Sequence, residues 1–144
     1  MAPLVFWNDK SSFRGKAVFL NQSYGSIPEE VTGYLDTGIA PFYADKELKE
    51  VAGFVSYTDN VLSTPVLPNG KKILTLNGFY NFNLPTGVIN TRGSTVDGTD
   101  ADGYFLNPVL FDILGGTGVG FNSKGHVILE VVDDKYKWSV FLDA

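Results

Sequence analysis

The sequence predicts an all-β protein of about eight short antiparallel strands in a single domain spanning residues 1–144. Three observations predict this class. Sixteen glycines and seven prolines interrupt the chain at short intervals, which is typical of strands joined by tight turns. Apolar and polar residues alternate between these interruptions, and a brief helical pattern covers only residues 45–51. Aromatic residues make up 14% of the chain, and although some of them will fill a core, so many favour a closed barrel with an aromatic-lined cavity.

The predicted strands follow one another along most of the chain. They cover residues 16–23, 31–40 with a loop, 50–61, 72–83, 88–95, 104–114, 126–132 and 136–142. Residues 1–15 form an N-terminal extension or an edge strand, and the acidic, glycine-rich residues 96–103 form a solvated loop. Turns are predicted at Gly115-Gly116-Thr117-Gly118, which separates two apolar strands, and at residues 133–135.

Composition and charge exclude several classes of function. The net charge of −5 argues against binding to nucleic acid or to an anionic membrane, because both need a basic surface. No apolar run approaches the roughly 20 residues that span a bilayer. The chain start lacks the pattern of a secretion signal, so we expect a cytoplasmic location. Without cysteine, the chain has neither disulfides nor a thiolate nucleophile.

Several segments, taken in order, resemble the plant allene oxide cyclase and dirigent families. The run Gly115-Gly116-Thr117-Gly118, followed by Phe121 and the strand at 126–130, resembles a segment near the end of those proteins. Residues 35–42 and 51–54 resemble the Pro-Phe step and glycine-containing strand of the cyclases, and residues 74–80 and 87–95 resemble later strands. The resemblance covers roughly residues 16–142. It implies a closed, calycin-like antiparallel barrel of about eight strands with a central pocket, rather than a filled sandwich.

The resemblance also implies a function. It implies a cofactor-independent cyclase or isomerase that folds a linear, apolar polyene- or carbonyl-containing precursor for intramolecular ring closure in natural-product biosynthesis, including closures of the [4+2] type. Alternatives are a non-catalytic dirigent-type or lipid-carrying barrel and a carbohydrate-binding β domain. The implied partners are an apolar small molecule and further copies of the chain, as a trimer or a dimer. No metal is predicted, because Asp97, Asp100 and Asp102 lack the spacing of a calcium loop.

The chain departs from the cyclase pattern at its polar residues. The family carries a glutamate two residues before an asparagine on its first strand, and here Phe19 and Asn21 occupy these positions. The asparagine that follows the family's Pro-Phe step is also absent, since Tyr43 and Ala44 follow Pro41-Phe42. The resemblance therefore carries over the shape of the barrel and the style of catalysis, but neither parent activity residue by residue.

Candidate catalytic residues are those that can polarise a carbonyl or transfer a proton inside an apolar pocket. The candidates are the amides of Asn21 and Asn77, the phenol of Tyr57 and the carboxyl group of Asp112. Asp112 lies in an apolar run, where it acts either as a buried acid or as a cap on the amides of the following turn. Aromatic residues predicted to bind the substrate are Phe19, Tyr24, Phe79, Tyr80, Tyr104 and Trp138.

Strand alternation leaves open which of these side chains point inward. If the more apolar faces line the cavity, Gln22, Tyr24 and Tyr80 are the inward polar groups. The opposite parity places Asn21, Asn77 and Asn81 inside. Matching Asn21 to the family's asparagine favours the second arrangement on the first predicted strand.

Overall fold

Ten antiparallel strands account for most of the backbone that the computed structural model describes. The described residues are 2–13, 16–19, 22–24, 34–63, 68, 75–95 and 108–143, with side chains described for 2–12, 37–59, 68, 78–93 and 108–143. The strands are β1 Leu4–Asp9, β2 Lys16–Phe19, β3 Gln22–Tyr24, β4 Tyr34–Tyr43, β5 Val51–Ser63, β6 Thr75–Leu84, β7 Gly87–Thr95, β8 Val109–Gly118, β9 Gly125–Val132 and β10 Lys135–Leu142. A 3₁₀ turn, Lys10–Phe13, follows β1. Within the described residues, no helix is long and apolar enough to cross a bilayer.

Eight of these strands close into a barrel. Hydrogen-bonded neighbours run in the order β1-β10-β9-β8-β7-β6-β5-β4, and β1 returns to β4 through the pair Trp7 and Tyr43. The predicted closed antiparallel barrel is confirmed. β1 pairs with β10 along its whole length. β1 lies within residues 1–15, which we predicted to be an N-terminal extension or an edge strand, and it forms part of the barrel wall.

The single strand predicted at residues 16–23 is wrong. The backbone turns back on itself there, and β2 pairs with β3 from Ala17–Tyr24 to Phe19–Gln22. β2 also pairs with the first half of β4, beside the part of β4 that meets β1. Alternation alone does not separate one long strand from a tight hairpin, because the two short strands keep a similar pattern.

The short helix predicted at residues 45–51 is also wrong. Its residues form an irregular loop in which the Asp45 carboxylate accepts hydrogen bonds from the backbone N–H of Glu50 at 2.7 Å and of Lys49 at 3.0 Å. Leu48 has a φ of 60°, which a right-handed helix does not allow. A short acidic side chain competes in this way with helical hydrogen bonding by satisfying nearby amides itself.

The glycine run 115–118 is not a turn but the last part of β8. Gly115 and Gly116 pair with Asn90 and Ile89 of β7, and the register shifts at Leu114 as in a β-bulge. Gly116 has a φ of 150°, and a Cβ there would collide with the Val88 carbonyl oxygen. The turn itself comes later, at residues 119–122. The glycines therefore allow close approach of two strands rather than a reversal of the chain.

Alternate, mainly apolar side chains of the barrel strands fill the interior in the part of the chain whose side chains are described. On β6, Tyr80 and Phe82 are buried, whereas Phe79 on the other face is 43% exposed. β6 therefore follows the first of the two parities that the sequence left open. The interior residues with the largest fully buried side chains are Trp138, Tyr80, Tyr136, Phe42, Phe82 and Phe111.

Candidate functional site

A group of aromatic rings in the barrel interior surrounds Trp138. Its centroid lies 5.2 Å from that of Phe82 and 5.8 Å from those of Tyr80 and Phe111. Tyr136, on the same strand, packs edge-on against it at 6.4 Å. Ring pairs at these separations give a rigid apolar wall, because each aromatic side chain has only two rotatable bonds.

A buried carboxylate and phenol meet at one side of this group. Asp59 is 4% exposed, and its Oδ2 accepts a hydrogen bond of 2.7 Å from the Tyr80 hydroxyl. The two residues lie on neighbouring strands, where Tyr80 pairs with Tyr57 and Asp59 pairs with Gly78. The carboxylate therefore has a fixed position in the barrel wall.

Glycines in β6 and β7 make room for this arrangement. A Cβ on Gly78 would collide with the Asp59 carboxylate, and a Cβ on Gly93 would collide with the ring of Phe111. Gly78 and Gly93 are themselves cross-strand partners. Two adjacent positions without side chains thus provide the space that a carboxylate and a ring occupy on the inner face.

Tyr80 is held from both sides. Tyr57 stacks on it with centroids 5.5 Å apart and ring planes 12° apart. The Thr91 hydroxyl donates to the Tyr80 carbonyl oxygen at 2.8 Å, which ties the Tyr80 backbone to β7. With its ring and backbone both restrained, Tyr80 presents its hydroxyl to Asp59 in one direction.

A buried amide lies at another side of the same ring group. Asn8 in β1 is 0% exposed, and its Oδ1 accepts a 3.0 Å hydrogen bond from Trp138 Nε1. An indole N–H can only donate, so it fixes the Asn8 oxygen toward Trp138 and directs the NH₂ group elsewhere. Nδ2 is buried and finds no hydrogen-bond partner among the described residues. An unpaired buried donor costs about 1–3 kcal/mol, which an acceptor on a ligand would offset.

The amide and the carboxylate flank the same two rings. Trp138 bonds Asn8 and packs against Tyr80, and Tyr80 in turn bonds Asp59. A donor and a proton acceptor on one aromatic wall can hold a polar substituent of an apolar molecule and act on a position close to it.

Three of the residues that we predicted from the sequence belong to this group: Tyr57, Tyr80 and Trp138. Two other candidates lie on the outer wall: Phe79 is 43% exposed, and the side chain of Asp112 is exposed between the buried Phe111 and Ile113. Asp112 is therefore not the buried acid considered above. The remaining candidates are only partly described or not described. Asn21 and Tyr104 lie outside the described residues, and only the backbones of Phe19, Tyr24 and Asn77 lie within them.

Asn8 and Asp59 were missed by sequence reasoning, although alternation marks both. Asp59 follows the buried Val55 and Tyr57 at intervals of two, and Asn8 follows Phe6 in the same way. Each is a polar residue at an inward position of an apolar strand. Spacing at intervals of two from buried apolar residues, rather than residue type alone, places Asn8 and Asp59 on the inner face.

The outer wall carries a shallow open groove beside the end of β8. Its lining includes Asp112, Leu114, Asn122 and Lys124. Nearby, the His126 ring stacks on Phe141 with centroids 4.7 Å apart. Within the described part of the chain, no three acidic, histidine or cysteine side chains are grouped as metal ligands.

Closed antiparallel barrels of about eight strands form a class whose interior holds either packed side chains or one small ligand. A solved structure with this fold is that of a pyocyanin demethylase, which superposes with a TM-score of 0.63 at 18% identity over 98% of this chain and 99% of the other. No protein-family model and no curated protein sequence matches the chain. This similarity shows the fold, and the resemblance to allene oxide cyclases and dirigent proteins remains a prediction.

Proposed function

We propose that this protein is a cofactor-independent isomerase or cyclase acting on an apolar, carbonyl-containing small molecule inside the barrel. The Asn8 amide is the observation that carries the proposal. Trp138 fixes its orientation, and its buried NH₂ group has no acceptor among the described residues. A carbonyl oxygen of a bound molecule is the acceptor that such a donor fits.

The chemistry follows from the surroundings of this donor. Negative charge that develops on a carbonyl oxygen in a transition state is stabilised strongly by a preoriented donor in a site without water. The rings of Trp138, Tyr80 and Phe111 supply an apolar wall against which a flexible substrate can be held in a folded conformation. Ring closure of a linear precursor, including a [4+2]-type closure, and double-bond isomerisation are reactions that such ordering accelerates.

The structural neighbour supports chemistry on a small molecule. A barrel of the same fold bears the name pyocyanin demethylase, which is that of an enzyme acting on pyocyanin. The substrate and the reaction of the present chain are proposed from its own interior residues.

We also propose that the protein is a homo-oligomer. Two large apolar side chains are exposed on the outer face of one strand, β8, where Leu110 is 60% and Leu114 is 58% exposed. Exposed apolar side chains that share one face are typical of protein interfaces. Light scattering coupled to size exclusion measures the mass in solution, and a monomer at all concentrations would contradict this part of the proposal.

The test of the function begins with the molecule that the barrel carries. Native mass spectrometry of protein purified from its source organism, followed by extraction, is expected to yield an apolar molecule with a carbonyl group. Incubation of the unbound protein with the linear precursor of that molecule should give an isomer of equal mass. Binding without conversion would instead indicate a carrier.

The Asn8→Leu variant tests the donor directly. It keeps a similar volume and removes the NH₂ group, and we expect turnover to fall about 100-fold, as when one donor to a developing oxyanion is lost. Asn81→Leu is the matched control, because Asn81 lies between the inward Tyr80 and Phe82 on the opposite face of β6. Circular dichroism establishes that both variants are folded. Equal turnover in the two variants would contradict the role of Asn8.

A further inference from the structure

We propose that two copies of this protein associate face to face across the outer surfaces of β7 and β8, so that Arg92 of each copy meets Asp112 of the other. This inference names the surface and the symmetry of the homo-oligomer, and it rests on that part of the proposed function. It does not depend on the reaction inside the barrel, because all of its residues lie on the outer wall.

The first support is a row of side chains that crosses four neighbouring strands on the outer wall. Strand pairing places each member directly opposite the next, in the order Phe79 of β6, Arg92 of β7, Asp112 of β8 and His126 of β9. Phe79 is 43% exposed, Arg92 and Asp112 are exposed, and His126 is half-buried. Read across the strands, the row is an aromatic ring, a cation, an anion and a second aromatic ring.

The second support is that this row is complementary to its own reverse. A two-fold axis that lies in the contact plane, parallel to the strands and midway between β7 and β8, exchanges the two halves of the row. Arg92 then faces Asp112 of the partner subunit, and Phe79 faces His126 of the partner subunit. Because the operation is reciprocal, it forms two ion pairs and two ring contacts, which is the self-complementarity that a two-fold interface requires.

The third support is that both charges lack an ion pair within the described part of the chain. Arg92 and Asp112 are cross-strand neighbours, yet no ion pair joins them there or engages either one. An exposed pair within one copy contributes little to stability, because water and salt screen it. Between two copies, the same charges select a partner with the complementary pattern.

Apolar side chains on both sides of Asp112 supply area to bury. Leu110 is 60% and Leu114 is 58% exposed, and both share the outer face of β8 with Asp112. The proposed contact covers these leucines with β7 of the partner subunit and removes apolar surface from water, which favours association. The leucines therefore contribute to affinity, whereas the charges between them determine the orientation of the two copies.

Charge reversal tests the contact. Arg92→Asp places two acidic groups in the row, and Asp112→Arg places two basic groups there, so like charges meet across the axis in either variant. We expect the dimer dissociation constant of each variant to rise about 100-fold, because like charges at an interface repel strongly. Sedimentation velocity over a series of protein concentrations measures this constant.

A mixture of the two variants gives the sharper result. In a mixed dimer each aspartate faces an arginine again, so we expect the mixture to dimerise with about the wild-type dissociation constant. Native mass spectrometry with one variant labelled with ¹⁵N distinguishes the mixed dimer from the two homodimers. If either reversal does not fold, Arg92→Gln and Asp112→Asn replace the pair, and an unchanged dissociation constant in these folded variants overturns the inference.

Glu47→Arg and Lys49→Asp are the matched controls. Both residues are exposed in the loop between β4 and β5, and β4 lies four strands from β8 in either direction around the barrel. The controls introduce the same kinds of charge change away from the proposed contact, and we expect them to dimerise as the wild type does. Circular dichroism establishes that each variant is folded.

The outcomes separate this inference from the proposed function. Unchanged dimerisation in both reversals, absence of a mixed dimer, or an assembly of three subunits overturns the proposed contact and leaves a homo-oligomer through another surface in place. A wild-type protein that is monomeric at all concentrations overturns both the contact and the homo-oligomer. The role of Asn8 inside the barrel is judged by turnover, which none of these results measures.

Discussion

The hydroxyl of Tyr80 donates to Asp59 Oδ2 at 2.7 Å, and this bond joins two buried side chains of neighbouring strands inside a closed β-barrel. Tyr80 also packs against Trp138, which orients the Asn8 amide. Asp59 Oδ2 and Asn8 Oδ1 are therefore held in place by hydrogen bonds from aromatic side chains.

Tyr80→Phe should lower the free energy of unfolding by about 1–3 kcal/mol, because it removes the hydroxyl that bonds a buried carboxylate oxygen while the ring packing is retained. Denaturant unfolding followed by tryptophan fluorescence measures the change. Thr91→Val, which removes the hydroxyl bonded to the Tyr80 carbonyl, serves as a comparison for loss of one buried hydrogen bond. An unchanged midpoint in Tyr80→Phe would show that the phenol–carboxylate bond contributes nothing to stability.

Gly78→Ala should destabilise the barrel by about 1–3 kcal/mol, because the added Cβ meets the Asp59 carboxylate. Shortening Asp59 to Ala removes the collision with the carboxylate and leaves the 2.8 Å approach to Tyr80 Cε2, so the double variant should lose less stability than the sum of the two single variants. A thermodynamic cycle of the four proteins measures this coupling. Strict additivity would mean that the two positions do not compete for space.

Trp138→Phe should abolish the preference for a carbonyl ligand. The variant keeps a ring but removes the indole N–H that bonds Asn8 Oδ1, so this restraint on the orientation of the amide is lost. The probes are 1-indanone, a flat ketone, and indane, the matched hydrocarbon without the carbonyl. We expect the wild type to bind 1-indanone more tightly than indane, and we expect the two dissociation constants to become similar in the variant. Calorimetric titration of both compounds provides the measurement. A preference retained in the variant would show that the orientation of Asn8 does not depend on the indole.

The ion pair between Lys46 and Asp133 should make stability depend on acid pH. Lys46 follows β4 and Asp133 lies in the turn between β9 and β10, so the pair connects loops on either side of β1. The hydrogen bond from Lys46 lowers the pKa of Asp133 below its ordinary value of 3.8. A lowered folded-state pKa stabilises the fold above 3.8, and this contribution is lost as the pH falls below that value through the folded-state pKa.

Thermal unfolding between pH 7 and pH 2 tests this dependence. Lys46→Gln should flatten the acid limb of the melting-temperature profile, and added salt should do the same in the wild type, because an exposed pair is screened. Lys124→Gln is the control, since Lys124 is exposed and no ion pair is found for it among the described residues. Parallel profiles for Lys46→Gln and the wild type would contradict the prediction.

Much of the architecture was predictable from local pattern. Alternation located most of the strands from β4 onward. Tyr57, Tyr80 and Trp138 were predicted as site residues because each offers a ring and a polar atom, whereas alternation left open which face of a strand points inward. The errors arose where a local pattern fits two structures. The glycines at 115–118 suit a turn as well as a strand in close contact with its neighbour, and the contact with Val88 decides between them.

The sequence by itself determined the all-β class and the ring-rich interior, because alternation, glycine spacing and aromatic content act through neighbours along the chain. Only the tertiary structure decided the site. Asn8 and Trp138 are 130 residues apart in sequence, and Asp59 and Tyr80 are 21 apart. Each pair meets only because the strands are hydrogen-bonded in register and the wall closes at β1. Alternation assigns a polar residue to one of the two faces of its strand, but its partner across the barrel is fixed by register and closure, which no local pattern encodes.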